Sequence, residues 1–352
     1  MSLKTRRILY ISFIIFFILV SAATITYTAG YRFHFKKYKF QKNGGIFLEF
    51  KPKEVNIYIN NKLEELTGFF DNSFKITDLL PGEYTIKITK DGYYSWEKLI
   101  KVEEDKINFL KNIILFKKNT LPKLVTERNI INLYNATSTN NQINRLKEIP
   151  GLKEIDNVLD FKIVNNKIYL IQNENEKFIL QEIDRNDFSK KTLLDNISAS
   201  STFQFAPKPF LFLLDEKDNN LMVINTKSQE IILQDKAKNI LWTQKLKSGS
   251  YKIAYNNDFE IYVYDLLSNE KNLIARYSEK INEILWHPEY NHLFFVFNDS
   301  INIIELTDDE KNLHTLFTGE DIKNITVSDK GDKIFFNGKI GNQIGLFELE
   351  IL

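Results

Sequence analysis

The N-terminal segment of the chain is one continuous apolar stretch. Residues Ile8 to Gly30 carry no charge and are rich in Ile, Phe, Leu and Val. At about 1.5 Å per residue, roughly 20 helical residues cross a bilayer core of about 30 Å, so this stretch predicts a transmembrane helix. A buried core helix is disfavoured by the length, and a signal peptide cleaved near Ala23 is the main alternative. Because the apolar run continues past that point, and Tyr27 and Tyr31 suit a membrane interface, an uncleaved anchor is favoured.

The flanking charges do not set the orientation of this helix, because basic residues lie on both sides of it. Residues 1–7 contain three, and residues 31–43 form a basic, aromatic connector. A long C-terminal part is translocated largely regardless of charge, while a short basic N-terminus stays inside. We therefore expect residues 1–7 in the cytoplasm, residues 8–30 as a single pass through the cytoplasmic membrane, and the rest outside the cytoplasm.

Residues 44–118 change to an alternating pattern with a period of two. Ile46, Leu48 and Phe50 begin it, and similar runs follow at residues 55–60, 84–89 and 99–102. Such alternation is typical of half-buried strands. The third run lies between two turn signals, Pro81-Gly82 and Asp91-Gly92. The segment therefore predicts a small β-domain.

The order of these elements resembles the PEGA domain, a small β-sandwich-like module of bacterial surface proteins. The resemblance is carried by the strand of residues 55–61, by Leu80-Pro81-Gly82-Glu83-Tyr84 and by Asp91-Gly92-Tyr93, whereas the tetrapeptide that names the family is here Pro52-Lys53-Glu54-Val55. It implies a cell-envelope location and no catalytic residue. The tract Tyr93 to Trp96 is a candidate sugar-stacking surface, although aromatic residues at a strand start more often pack in a core.

Residues 157–352 contain a repeat of 41 or 42 residues. Five apolar strands align on residues 168, 210, 251, 293 and 334, and third and fourth strands follow in register. A period of about 40 to 45 residues with four strands per unit is typical of β-propeller blades. The tracts Leu285 to Tyr290 and Val327 to Ile334 resemble the strand-turn-strand core of TolB-like and WD40-like repeats. Neither contains the complete Trp-Ser-Pro-Asp-Gly string usual in those families.

The fifth repeat has no fourth strand, although a propeller must close its ring. Lys123 to Thr126 is the candidate closing strand, and we expect Leu124 and Val125 to pair beside residues 346–349. Residues 119–156 are thus interpreted as a linker that contains this strand. The fold class is mainly β: a transmembrane helix, a PEGA-like domain and a five-bladed propeller, with six blades as the alternative if residues 127–156 form a degenerate blade.

The composition excludes several classes of binding and catalytic site. Lys and Arg number 47 against 46 for Asp and Glu, so no overall positive field favours nucleic acid. The absence of cysteine excludes disulfides, thiolate metal sites and thiol catalysis. No nucleophile elbow, phosphate loop or dinucleotide fingerprint occurs.

Two weaker features were weighed as metal sites. Of the histidines at 34, 287, 292 and 314, only His287 and His292 lie close enough in sequence to meet, and no third ligand lies near them. The acidic turn of residues 215–220 fits no EF-hand spacing, and Lys217 would repel calcium. We therefore assign no catalytic, cofactor-binding or metal-binding residue, and we predict no cofactor.

The leading hypothesis is a membrane-anchored interaction protein of the cell envelope, whose propeller binds a protein or a cell-wall glycan. One alternative is a glycan-active hydrolase, since paired carboxylates from different blades would leave no linear motif. A second is a TolB-like accessory of envelope transport. The residues on the inner strand of each blade discriminate the first two classes, because a hydrolase requires carboxylates there.

Overall fold

The computed structural model describes residues 3–34, 38–127, 157–205, 209–243, 246, 249–306 and 311–352. The chain divides into two compact units. The first comprises Met1–Thr120, Thr307–His314 and Ile351–Leu352, and the second comprises Leu121–Leu306 and Thr315–Glu350. The sixth blade considered for residues 127–156 falls, from residue 128 onward, outside the described residues.

Helix α1 spans Leu3–Thr28. It begins before the uncharged stretch, because its first turns include the basic residues of the N-terminus. It ends where Gly30 adopts a φ of +82°, a left-handed conformation that commonly stops a helix. Its side chains are exposed from Thr5 to Val20. Within the described residues this is the one helix long and apolar enough to cross a membrane, a property that signal sequences share.

The basic connector is not an extended linker but folds as a hairpin. Strands β1 (Tyr31–His34) and β2 (Lys39–Lys42) pair antiparallel, with Phe33 opposite Phe40. The hairpin continues directly from the helix into the β-domain.

Seven strands build the β-domain of the first unit. They are β3 (Gly44–Lys51), β4 (Asn56–Ile59), β5 (Lys62–Leu66), β6 (Ser73–Leu79), β7 (Gly82–Thr89), β8 (Trp96–Val102) and β9 (Ile107–Ile114). One sheet has the order β6-β3-β9, with β3 and β9 parallel, and the other has the order β5-β4-β7-β8.

The two sheets share one hydrophobic core, as the alternating pattern predicts. Phe50 of β3, Ile57 of β4 and Ile86 of β7 are each at most 1% exposed and lie in the same apolar cluster. Trp96 belongs to this cluster and is buried. The candidate sugar-stacking tract therefore contributes its tryptophan to packing.

The described part of the second unit contains five four-stranded sheets. In four of them, which are meanders, the strands follow one another in chain order. The first sheet consists of β11 (Val158–Val164), β12 (Lys167–Glu174), β13 (Lys177–Asp184) and β14 (Lys190–Ile197), and the second of β15 (Ser201–Phe205), β16 (Phe210–Asp215), β17 (Asn220–Asn225) and β18 (Glu230–Lys236). The third consists of β19 (Asn239–Trp242), β20 (Lys252–Asn256), β21 (Glu260–Asp265) and β22 (Glu270–Arg276), and the fourth of β23 (Ile281–Trp286), β24 (His292–Phe297), β25 (Ser300–Glu305) and β26 (Leu313–Thr318). The repeat of four strands is thus present in the structure.

The fifth sheet is completed by a strand from before the repeats. Its order is β10-β29-β28-β27, with β10 at Lys123–Thr126, β27 at Glu320–Val327, β28 at Lys333–Ile340 and β29 at Gln343–Glu350. Leu124 pairs with Phe347, and a register shift falls at Val125. The pairing predicted for Leu124 beside residues 346–349 is confirmed by this register, whereas Val125 falls at the shift and is skipped by it.

A close backbone approach makes this pairing depend on glycine. A Cβ added to Gly345 of β29 would lie 2.1 Å from the carbonyl oxygen of Thr126 in β10. No side chain fits between the two strands at that point, so Gly345 is required for the closing strand to bind.

Neighbouring sheets of the second unit pack face to face through apolar residues. Tyr169 and Ile171 of the first sheet cluster with Phe203 and Leu211 of the second. Equivalent clusters join the second sheet to the third and the third to the fourth. The second strands, such as β12, β20 and β24, are buried on consecutive residues and so on both faces. They are therefore almost uninterrupted apolar runs, which explains why they carry the sequence repeat.

Candidate functional site

The first strands of four consecutive sheets surround a cavity of about 390 Å³. Strands β15, β19, β23 and β27 each contribute to it, so the cavity lies where propeller blades present their inner strands. Its volume is within the range of about 300 to 1,000 Å³ typical of ligand sites. The lining residues are Thr202, Gln204, Phe212, Leu214, Lys238, Asn239, Ile240, Leu241, Glu283, Ile284 and Asn324.

Glu283 is the one carboxylate among the described residues that line this cavity. Its Oε1 accepts a hydrogen bond from the backbone N–H of Asn324 at 2.6 Å, and its Oε2 accepts one from Ile325 at 2.9 Å. Both oxygens thus bind the first strand of the next sheet. The carboxylate joins the fourth and fifth sheets, and this structural role leaves it poorly placed to attack a substrate.

Two asparagines join the third sheet to the fourth. The Nδ2 of Asn239 donates to the backbone oxygen of Asn282 at 3.1 Å and to the Oδ1 of Asn256 at 3.0 Å. Asn256 is fully buried and donates in turn to the backbone oxygen of Ile281 at 3.2 Å. Buried amides satisfied in this way fix the relative position of two strands. Part of the polar lining is therefore structural.

The remaining polar lining consists of Thr202, Gln204 and Lys238, and the hydroxyl of Thr202 donates a long hydrogen bond to Glu216 at 3.4 Å. Gln204 is exposed in the cavity and makes no side-chain hydrogen bond among the described residues. Lys238 pairs with Asp258 while also lining the cavity. An amide, an ammonium group and the hydroxyl of Thr202 therefore face an aliphatic wall that includes Leu214 and Ile284. This arrangement suits a ligand with both polar and apolar groups.

The first strand of the first sheet carries two half-buried residues of opposite charge, Asp160 and Lys162. Burial raises the pKa of Asp160, although Lys162 beside it acts in the opposite direction. Burial likewise lowers the pKa of Lys162, whose Nζ donates to the backbone oxygen of Phe203 at 2.6 Å. The lysine thus joins the first sheet to the second, in the same way that Glu283 joins the fourth to the fifth.

A second, smaller cavity of about 260 Å³ lies between the first and second sheets. Three of its polar groups are already paired, since Lys167 forms an ion pair with the buried Glu182 and the hydroxyl of Thr226 donates to the backbone oxygen of Pro209 at 2.8 Å. The pKa of Tyr169 is raised by burial and by its hydrogen bond to Glu182. These contacts stabilise the junction of the two sheets and make this cavity the weaker candidate for a ligand site.

The two candidate metal features of the sequence do not form sites. His287 and His292 do approach, with ring centroids 5.9 Å apart, and both are buried. No group of three or more potential metal ligands occurs in the described part of the chain. In the acidic turn, Asp215 accepts hydrogen bonds from Ser200 and from the backbone N–H of Lys217, which orders the hairpin.

The residues that line the cavity were not predicted from the sequence, because the repeat is most apparent in the second strand of each sheet. The first strands are short and mixed in polarity, so they lack a strong alternating pattern. One signal was present nonetheless. Asn239, Asn282 and Asn324 recur on three first strands at separations of 43 and 42 residues, close to the period of the repeat.

Comparison with known proteins adds little beyond the fold. Neither a protein-family model nor a curated protein sequence matches the chain, so the resemblance to the PEGA domain has no support from a family model. Solved structures similar to it at low similarity include several with WD40-like or TolB-like β-propeller folds. They include the WD40 domain of SCAP from fission yeast (12% identity, TM-score 0.36, covering 56% of this chain and 51% of that one), TolB from Acinetobacter baumannii (11%, 0.32, 53% and 51%) and Hsv2 from Kluyveromyces lactis (11%, 0.32, 52% and 58%).

The chain thus spans about half the length of the first of these structures, and the TM-scores carry no inference about function. The assignment of propeller-like architecture rests on the repeat and the five sheets of the chain itself.

Proposed function

We propose that this chain is a single-pass membrane protein of the cell envelope that binds a ligand in the cavity between the first strands of a five-bladed propeller. The observation that carries the proposal is the cavity of about 390 Å³ lined by first strands from four sheets. The apolar helix Leu3–Thr28 supports the anchor, and the closing pairing of β10 with β29 supports the five-bladed ring.

The ligand is a protein segment or a short glycan, because both present amide or hydroxyl groups beside apolar carbon. The cavity offers matching groups: Gln204 and Thr202 can exchange hydrogen bonds, while Leu214 and Ile284 supply an apolar wall. The β-domain, with its PEGA-like order of elements, then acts as a spacer or wall contact between the anchor and the propeller.

Binding is favoured over glycan hydrolysis by the charges of the cavity. A glycosidase uses two carboxyl groups, about 5 to 10 Å apart, on either side of the scissile bond. In the described lining Glu283 is the one carboxylate, and both its oxygens accept backbone hydrogen bonds. No observation favours the TolB-like accessory over a general binding role.

Site-specific photo-crosslinking in host membranes tests the proposal. A photoreactive amino acid at Gln204, which faces the cavity, should give a specific adduct or be protected by cell-wall fragments. The matched control is Glu230, which is exposed on β18 at the opposite edge of the same sheet. Equal labelling at the two positions, with no protection by glycan fragments, would refute ligand binding in the cavity.

A further inference from the structure

The hairpin after the helix has a composition unlike the rest of the chain. Residues 31–42 contain five aromatic residues, five Lys or Arg residues and no acidic residue. The whole chain is nearly neutral, with a net charge of +1. This concentration of aromatic and cationic side chains is therefore local, and neither the cavity nor the repeat requires it.

The fold places three of the aromatic residues, Tyr31, Phe33 and Phe40, on one exposed face. Phe33 lies opposite Phe40 in the register of β1 and β2, and their rings pack edge to face with centroids 5.2 Å apart. Tyr31, Phe33 and Phe40 are 37%, 38% and 61% exposed, whereas Gln41, which alternates to the other face, is buried. The aromatic face is thus the one that the β-domain leaves uncovered.

Contacts with the helix fix the position of this face. The hairpin begins three residues after Thr28, where α1 ends. The guanidinium of Arg32 stacks 3.7 Å from the ring centre of Tyr27 in the last turn of the helix, and its Nη1 donates to the backbone oxygen of Tyr27 at 2.8 Å. On its other side the hairpin is held to the β-domain by the ion pair of Lys42 with Asp105 at 2.8 Å.

We propose that the hairpin formed by Tyr31–His34 and Lys39–Lys42 lies in the membrane interface, with its aromatic face among the upper acyl chains and the excess positive charge of this segment attracted to anionic lipid headgroups. This inference rests on the proposed membrane anchor, because a helix that spans the bilayer ends at the headgroup layer and carries the hairpin there. Aromatic rings favour this layer, and Lys and Arg near it are attracted to anionic lipids. The hairpin thereby holds the β-domain close to the membrane surface.

Nitroxide labels at single introduced cysteines test the proposal in the full-length chain, which has no native cysteine. The labelled positions are Phe40, Ile15 in the middle of the helix, and Lys101, which is exposed on β8. The chain is reconstituted into vesicles of phosphatidylcholine, with or without phosphatidylglycerol. Depth is measured from the accessibility of each label to oxygen and to a water-soluble nickel complex.

We expect the Phe40 label about 5 to 10 Å below the headgroup phosphates in anionic vesicles, a shallower position in neutral ones, and a Lys101 label in water. A Phe40 label as accessible to nickel as the Lys101 label, with Ile15 in the bilayer, overturns the hairpin proposal alone. An Ile15 label outside the bilayer overturns the anchor as well. Equal depth in both lipids overturns the attraction to anionic headgroups, and shielding of Phe40 only in native membranes assigns the face to a protein.

Discussion

Replacing Gly345 with alanine should release the strand that completes the fifth sheet. The new Cβ would lie 2.1 Å from the carbonyl oxygen of Thr126 and 2.9 Å from the Cα of Glu127, both backbone atoms that cannot turn aside. Overpacking of this kind costs about 1 to 3 kcal/mol. The loss of stability cannot much exceed the free energy that the pairing of β10 contributes, because the strand can detach. This pairing joins three residue pairs and half-buries Leu124. At about 1 kcal/mol per hydrogen bond, that pairing contributes about 3 to 4 kcal/mol.

We therefore expect Gly345→Ala to lower the free energy of unfolding of the second unit by about 2 to 3 kcal/mol, which corresponds to a fall in Tm of about 5 to 10 °C. Urea unfolding of the full chain in detergent, followed by the fluorescence of Trp242 and Trp286, measures the change. Hydrogen exchange in Gln343–Glu350 should rise in parallel.

The matched control is Gly82→Ala, since a Cβ there has no heavy atom nearer than 3.9 Å and should change stability by less than about 0.5 kcal/mol. Deletion of Lys123 to Thr126 measures the largest loss of unfolding free energy that release of β10 can cause. An unchanged urea midpoint together with unchanged exchange in β29 would refute the account of the closing strand. A loss larger than that of the deletion would place the damage elsewhere.

Three further predictions concern the cavity, the half-buried Asp160 and the anchor. Glu283→Ala should destabilise the second unit by about 2 kcal/mol, because two backbone N–H groups lose their acceptor, while Glu283→Gln should cost about half as much by urea unfolding. Since burial raises the pKa of Asp160, its contribution to stability is present below about pH 4 and lost as the pH rises through the raised value. Asp160→Asn should accordingly gain stability over the parent chain as the pH rises from about 4 to 7, and a gain independent of pH would contradict this. The full chain should remain in membranes through a carbonate wash, whereas a mature protein that begins near Ala23 would identify a signal peptide.

Elements with a strong local pattern could be predicted from the sequence. The helix is an uninterrupted apolar run, the strands of the β-domain alternate with a period of two, and the apolar second strands recur at a fixed spacing, so each of them leaves a recognisable pattern in the sequence. The closing strand was predicted from the number of strands in the repeats. Four repeats have four strands and the fifth has three, so the last strand of the fifth repeat needs a partner from elsewhere in the chain. β5, β6 and β9 were missed, since their buried positions are few and irregular.

The candidate site could not be predicted in the same way. Glu283 and Asn239 act on backbone atoms of a neighbouring sheet, so their partners are set by the stacking of sheets and leave no mark in the local sequence. The connector at residues 31–43 was correctly described as basic and aromatic. Its hairpin was missed, because each of its strands has only four residues and so carries too short a pattern to be recognised.

The pairing of β10 with β29 also sets the order in which the second unit can fold. Leu124 and Phe347 are 223 residues apart, whereas the strands of each meander are joined by short turns. Closing so long a loop costs roughly 1.5 kcal/mol more in chain entropy than closing a loop of about 40 residues. The meanders should therefore form first and independently, and the fifth sheet should be completed last. Until that step β10 is unpaired and the edge of β29 is exposed. The rate of closure therefore determines how long the folding chain presents an edge that could pair with another molecule.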